Sequence, residues 1–130
     1  MNLILVAIGG ALGSMARYLA GETINNLIKL SAIFTKFPLA TFFVNVSGSL
    51  LAGILYYFLV KNFDNFDPRL KNFLLAGFLG GFTTFSAFSL DFFRLAQAGQ
   101  YLQAFSYAFA SVLFSILAVF FGFYLTKLIF

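Results

Sequence analysis

Polar side chains are sparse in this chain, and several fall inside apolar runs. In TFFVNVSGSLLAG the residues Thr41, Asn45 and Ser49 recur every four positions, as do Tyr107, Ser111 and Ser115 further on. Each trio therefore lines one helix face. Asn45 carries two amide N–H donors and the others carry hydroxyls, so together they could pass a small anion along neutral donors. The same groups have simpler uses. A membrane asparagine can make an interhelical hydrogen bond worth roughly 1 kcal/mol, and a helical serine can bond the carbonyl one turn back.

A second chemistry is suggested by GFLGGFTTFSAF, where Gly80 and Gly81 are followed by Thr83 and Thr84. Glycine lowers helix propensity and opens backbone conformations closed to other residues. A helix broken there would free main-chain carbonyls, which lipid tolerates only where they line a cavity or meet a ligand. Such oxygens suit a hard monovalent cation, while a glycine-mediated close contact between helices accounts for the pair equally well. Phe85 and Phe88 follow at i, i+3 with Ser86 and Ala87 between them. The positive edge of an aromatic ring can touch an anion without a formal charge, although most of the 21 phenylalanines must simply face lipid.

The elements that position these groups follow from composition. The chain has 130 residues, 62% hydrophobic and 9% charged, against about 25% charged in an average soluble domain. A bilayer crossing takes about 20 apolar residues, so the length allows four spans with short connections. The expected spans are about 3–28, 38–60, 72–95 and 101–127, a single all-α membrane domain over 1–130 with no internal repeat. The start, MNLILVAIGG, has no basic n-region and reads as the first span instead of a removable signal peptide. With no cysteine and no histidine, thiolate chemistry and two usual metal ligands are excluded. A scattered net charge of +4 argues against a nucleic-acid partner and fits lipid head groups or an anionic solute.

The positive-inside rule counts Lys and Arg on each side. Lys61, Arg69, Lys71 and Lys127 fall on one face, and Arg17, Lys29, Lys36 and Arg94 on the other. Four against four leaves orientation unbiased, so two oppositely inserted copies could pair as an antiparallel dimer. Across such a two-fold axis the mid-span break would bring carbonyls together from both chains. Gly9, Gly13, Arg17 and Gly21 share one face of the first span, where the glycines favour close packing. Arg17 lies late enough to snorkel to the interface, as an anchor or as a vestibule charge for anions. The only acids are Glu22, Asp64, Asp67 and Asp91, none at a span centre, which disfavours proton-coupled export of organic cations. No nucleophile-and-base pair points to an enzyme. A scaffold whose small residues only pack helices is the remaining rival.

Three motifs, GGALGSMARY, TFFVNVSGSLLAG and GFLGGFTTFSAF, resemble those of the Fluc/CrcB fluoride channels, and their order covers essentially the whole chain. The resemblance implies a dual-topology homodimer in the cell membrane that exports fluoride passively through two pores and so relieves fluoride toxicity. It further implies a structural, untransported sodium ion held by the main-chain carbonyls of Gly80 and Thr83. Phe85, Phe88, Asn45, Tyr107, Ser111 and Ser115 match the family's pore positions, and Arg17 its motif arginine. Ser86 and Thr41 are taken as pore groups beside them. Three departures stand out: Ala87 where the family often has a hydroxyl, Val119 where a further polar residue can occur, and a long first connection through KLSAIFTK.

Overall fold

The computed structural model describes residues 2–30, 37–62 and 65–130. The expectations resting on Lys36 and Asp64, and on most of the first connection, lie outside the described residues. Four helical runs are long and apolar enough to cross a membrane: Asn2–Leu30, Leu39–Lys61, Pro68–Gln97 and Tyr101–Ile129. In chain order they comprise α1 (Asn2–Leu30), α2 (Leu39–Lys61), α3 (Pro68–Lys71), a π-helical segment (Asn72–Leu79), α4 (Gly80–Phe82), α5 (Phe85–Gln97) and α6 (Tyr101–Ile129). The third run starts at Pro68, earlier than the hydropathy pattern suggests. Asp67 caps it by accepting the Arg69 N–H at 2.8 Å, and proline at the first helical position has no N–H to leave unpaired.

Small residues set how the helices meet. Along α1, Gly9 and Gly13 are buried against the π segment and α4. A Cβ on Gly9 would lie 2.5 Å from the Phe73 carbonyl oxygen, and one on Gly13 would collide with the Phe78 carbonyl. Facing them, Gly77 and Gly81 approach the backbone of α1 just as closely. Helix α2 runs along α6, where Gly53 and Gly122 leave no room for a side chain. In α6 the most buried positions are Ala104, Tyr107, Ser111, Gly122 and Thr126, the three-and-four spacing of one helix face. Gly21, by contrast, has nothing within 4 Å of where a Cβ would stand on the single chain.

The turn from α5 to α6 closes through Gly99 at φ 74°. Gly99 N–H bonds the Ala96 carbonyl at 3.0 Å and Gln100 N–H bonds the Leu95 carbonyl at 2.9 Å, a Schellman pair that needs a left-handed residue. This tight turn lays α5 against α6, with Leu95, Ala104 and Tyr107 as the core of their seam. Many large apolar side chains point outward, as lipid-facing and interface surfaces do.

Candidate functional site

Thr83 (φ −83°, ψ 155°) and Thr84 (φ −151°, ψ 121°) are extended between α4 and α5. Local bonds account for the change of course. Leu79 carbonyl receives both the Thr83 N–H at 2.9 Å and the Thr83 hydroxyl at 2.8 Å, ending α4. Thr84 then caps α5, its hydroxyl oxygen accepting the Ala87 N–H at 3.1 Å. Helix α2 reaches this point because Gly48 lies against Thr83 and Phe82, with no space for a Cβ. One turn earlier on α2, Asn45 closes both main-chain groups of Thr84: its Oδ1 accepts the Thr84 N–H at 2.8 Å and its Nδ2 donates to the Thr84 carbonyl at 3.0 Å. The amide thus serves Thr84 as a neighbouring strand would, and keeps one N–H to give elsewhere.

Carbonyls around the break lose their helical donors in this arrangement, those of Gly80 and Thr83 among them. A continuous helix would direct Thr84 N–H to Gly80 and Ala87 N–H to Thr83, but those donors go to Asn45 and to Thr84 Oγ1. Gly80 is also exposed on the single chain. Oxygens so released have the chemistry to hold a hard monovalent cation. Among the described residues no group of three or more His, Cys, Asp or Glu could hold a metal instead.

Most of the groups singled out in the sequence divide between two clefts, Tyr107 and Gly80 lining neither. The first, of about 350 Å³, is lined by Asn45, Thr83, Phe85, Phe88, Ser111 and Ser115 together with Thr84, small residues of α2 and a few aliphatic side chains. No charged residue lines it. Ser111 Oγ is buried and makes no hydrogen bond there, with the Tyr107 hydroxyl as its near neighbour. Phe85 and Phe88 are tilted at 39° with centroids 5.4 Å apart; Phe85 is 78% exposed on the single chain. The second cleft, of about 450 Å³, brings Arg17, Thr41, Ser86 and Thr84 together with Ala87 and aliphatic neighbours. Among the described residues Arg17 has no ion-pair partner. Its charge is therefore the dominant field in that cleft.

Tyr107 lies in neither cleft. Its ring is fully buried, edge-on to Phe37 at 5.3 Å and tilted against Phe88 at 5.2 Å. Its hydroxyl donates to Asp91 Oδ2 at 3.3 Å, while Asp91 Oδ1 is 3.9 Å from the exposed Arg94 guanidinium. Through Phe88 and Ser111 the tyrosine backs the first cleft without lining it. Sequence reasoning noted Thr84 only as part of the expected break, and did not single out the Asn45–Thr84 pairing or the tyrosine–aspartate contact. The doubled threonine was the one available signal for Thr84, and the 39-residue separation of Asn45 from Thr84 hides their pairing from any local pattern.

Comparison with known proteins gives one consistent result. Residues 4–123 match the family described as "CrcB-like protein, Camphor Resistance (CrcB)". A protein of Rhizobium meliloti (strain 1021) named fluoride-specific ion channel FluC is 46% identical over 121 residues, covering 93% of this chain and 92% of its own length. Proteins of the same name from Hahella chejuensis (strain KCTC 2396) and Flavobacterium psychrophilum (strain ATCC 49511 / DSM 21280 / CIP 103535 / JIP02/86) are 40% identical over 128 residues and 41% over 126. They cover 98% and 97% of this chain, and 96% and 97% of their own lengths.

Proposed function

This chain belongs to the CrcB-like family, and on that premise we propose that it is a passive fluoride channel, active as an antiparallel homodimer with two pores. It is a multi-pass protein of the cell membrane, whose relatives are channels and not enzymes. The observation that carries the reading is the uncharged cleft in which Asn45, Ser111, Ser115, Phe85 and Phe88 meet beside the extended threonines.

Fluoride is small and strongly hydrated, so a narrow path must replace its water with donors. A fixed cation deep inside would hold it too firmly, whereas conduction needs sites that release as readily as they bind. Neutral donors satisfy both conditions. The remaining N–H of Asn45, the hydroxyls of Ser111 and Ser115 and the ring edges of Phe85 and Phe88 offer graded contacts. At the mouth, Arg17 draws anions toward Thr41 and Ser86 by an attraction that salt weakens. Tyr107 acts from behind, keeping Phe88 and Ser111 in place. Export lowers the fluoride concentration in the cytoplasm and with it fluoride toxicity.

The even distribution of Lys and Arg supports dual insertion. The exposure of Phe85 and Gly80 on a single chain suits groups completed by a second copy. A sodium ion held by the Gly80 and Thr83 carbonyls would supply fixed positive charge that ties the two unwound segments together, and would not itself be transported. The residues of this chain fit that role because their oxygens have given up helical donors.

Fluoride efflux from loaded liposomes tests the reading. The purified chain is expected to release fluoride down its gradient with no proton gradient applied. Movement of an organic cation on an imposed proton gradient, without fluoride release, would mark an exporter, and no flux of either would leave a helix-packing scaffold.

A further inference from the structure

The two clefts share one lining residue, Thr84. On one side of it stand Asn45 and Ser111, on the other Arg17 and Ser86. Its main-chain groups are both engaged by Asn45, so only the hydroxyl is available to an ion. Thr84 Oγ1 accepts the Ala87 N–H at 3.1 Å and lies 3.1 Å from Ser86 Oγ, where either oxygen can be the donor.

A hydroxyl has one proton and two lone pairs. When Ser86 donates, both lone pairs of Thr84 Oγ1 are filled and its own proton is free. When Thr84 donates, the free proton belongs to Ser86. The pair thus always has one O–H to offer, and rotation about a single C–O bond moves it. Ser86 lines only the Arg17 cleft. Thr84 alone borders both.

We propose that Thr84 is the transfer residue between the clefts: its hydroxyl, oriented by Ser86 on a backbone fixed by Asn45, donates to fluoride as the ion passes from the Arg17 side to the Ser111 side. An O–H donor to a fluoride ion makes a short, charge-assisted hydrogen bond, so one such contact at the junction spares the ion an uncoordinated step. This inference rests on the fluoride-channel reading and adds to it a residue and a route.

The test compares Thr84→Val, which keeps the shape and removes the hydroxyl, with Thr84→Ser, which keeps the hydroxyl. Full-length protein in fluoride-loaded proteoliposomes is expected to lose at least ten-fold in flux with valine and less than three-fold with serine. Parent-like flux with valine overturns the assignment, as does an equal loss with serine in protein that elutes like the parent. Because Thr84 also caps α5, a second measurement guards against misfolding. The chain has no cysteine, so Thr84→Cys gives a unique thiol. A small methanethiosulfonate reagent is expected to block the remaining flux, more slowly when fluoride is present; failure to react, or unchanged flux after reaction, overturns the assignment. A parent protein that moves no fluoride refutes the channel reading itself.

Discussion

Replacing Asn45 with leucine separates the amide's two hydrogen bonds from its volume. In the parent, Asn45 satisfies the N–H and the carbonyl of Thr84 at 2.8 and 3.0 Å. Leucine leaves both unpaired beside apolar side chains, where each unsatisfied group costs about 1–3 kcal/mol. Thr84 is only half-buried, so the lower figure applies, and two groups give about 2 kcal/mol, a factor of about 30 in an equilibrium constant. The chain has somewhere to go: Thr84 N–H can return to the Gly80 carbonyl and continue the helix. That change consumes one of the oxygens proposed to hold sodium and turns Phe85 away from Ser111. Fluoride efflux from proteoliposomes is expected to fall at least ten-fold, and amide exchange at Thr84 to change with it. Asn45→Asp should fall further, because a carboxylate about 5 Å from the ion at an effective dielectric of about 20 repels it by about 3 kcal/mol, some two orders of magnitude in rate. Efflux by Asn45→Leu within two-fold of the parent, in protein of normal folding, would refute the reasoning.

Other consequences follow from the same geometry. Phe85→Leu or Phe88→Leu should lower flux several-fold while leaving the elution volume of the dimer unchanged, as measured by efflux and size-exclusion chromatography; two fully active variants would exclude the ring edges from the path. Arg17→Gln should reduce flux more at low than at high fluoride concentration, and 0.5 M of an impermeant salt should shrink the difference, since the Debye length falls below roughly 10 Å. Gly122→Ala should destabilise the α2–α6 contact by about 1–3 kcal/mol, the usual cost of overpacking, because its Cβ would meet the Leu50 carbonyl; a lowered unfolding midpoint in detergent is the check.

The four helices were legible because long apolar runs in a chain of this composition have few other uses. Asp67-Pro68 shows why one boundary moved: the cap and the proline start the third run before its hydropathy rises. The π geometry of Asn72–Leu79 leaves no trace in the sequence, since a wider turn uses the same apolar residues. Among the candidate site residues, the fourfold spacing of Ser111 and Ser115 correctly indicated one face. Tyr107 shares that face, but α5 covers that end of the stripe and takes the tyrosine into its seam, behind the cleft. Asn45 was legible as a polar group without its function, because a side chain read alone does not reveal which backbone it will meet.

Planar-bilayer recording under a fluoride gradient, with chloride symmetrical and sodium on both sides, tests the central claim most directly. A passive fluoride channel gives a current that reverses at the fluoride equilibrium potential and ignores an imposed pH gradient. A reversal potential that follows protons, or the absence of fluoride current, would contradict it.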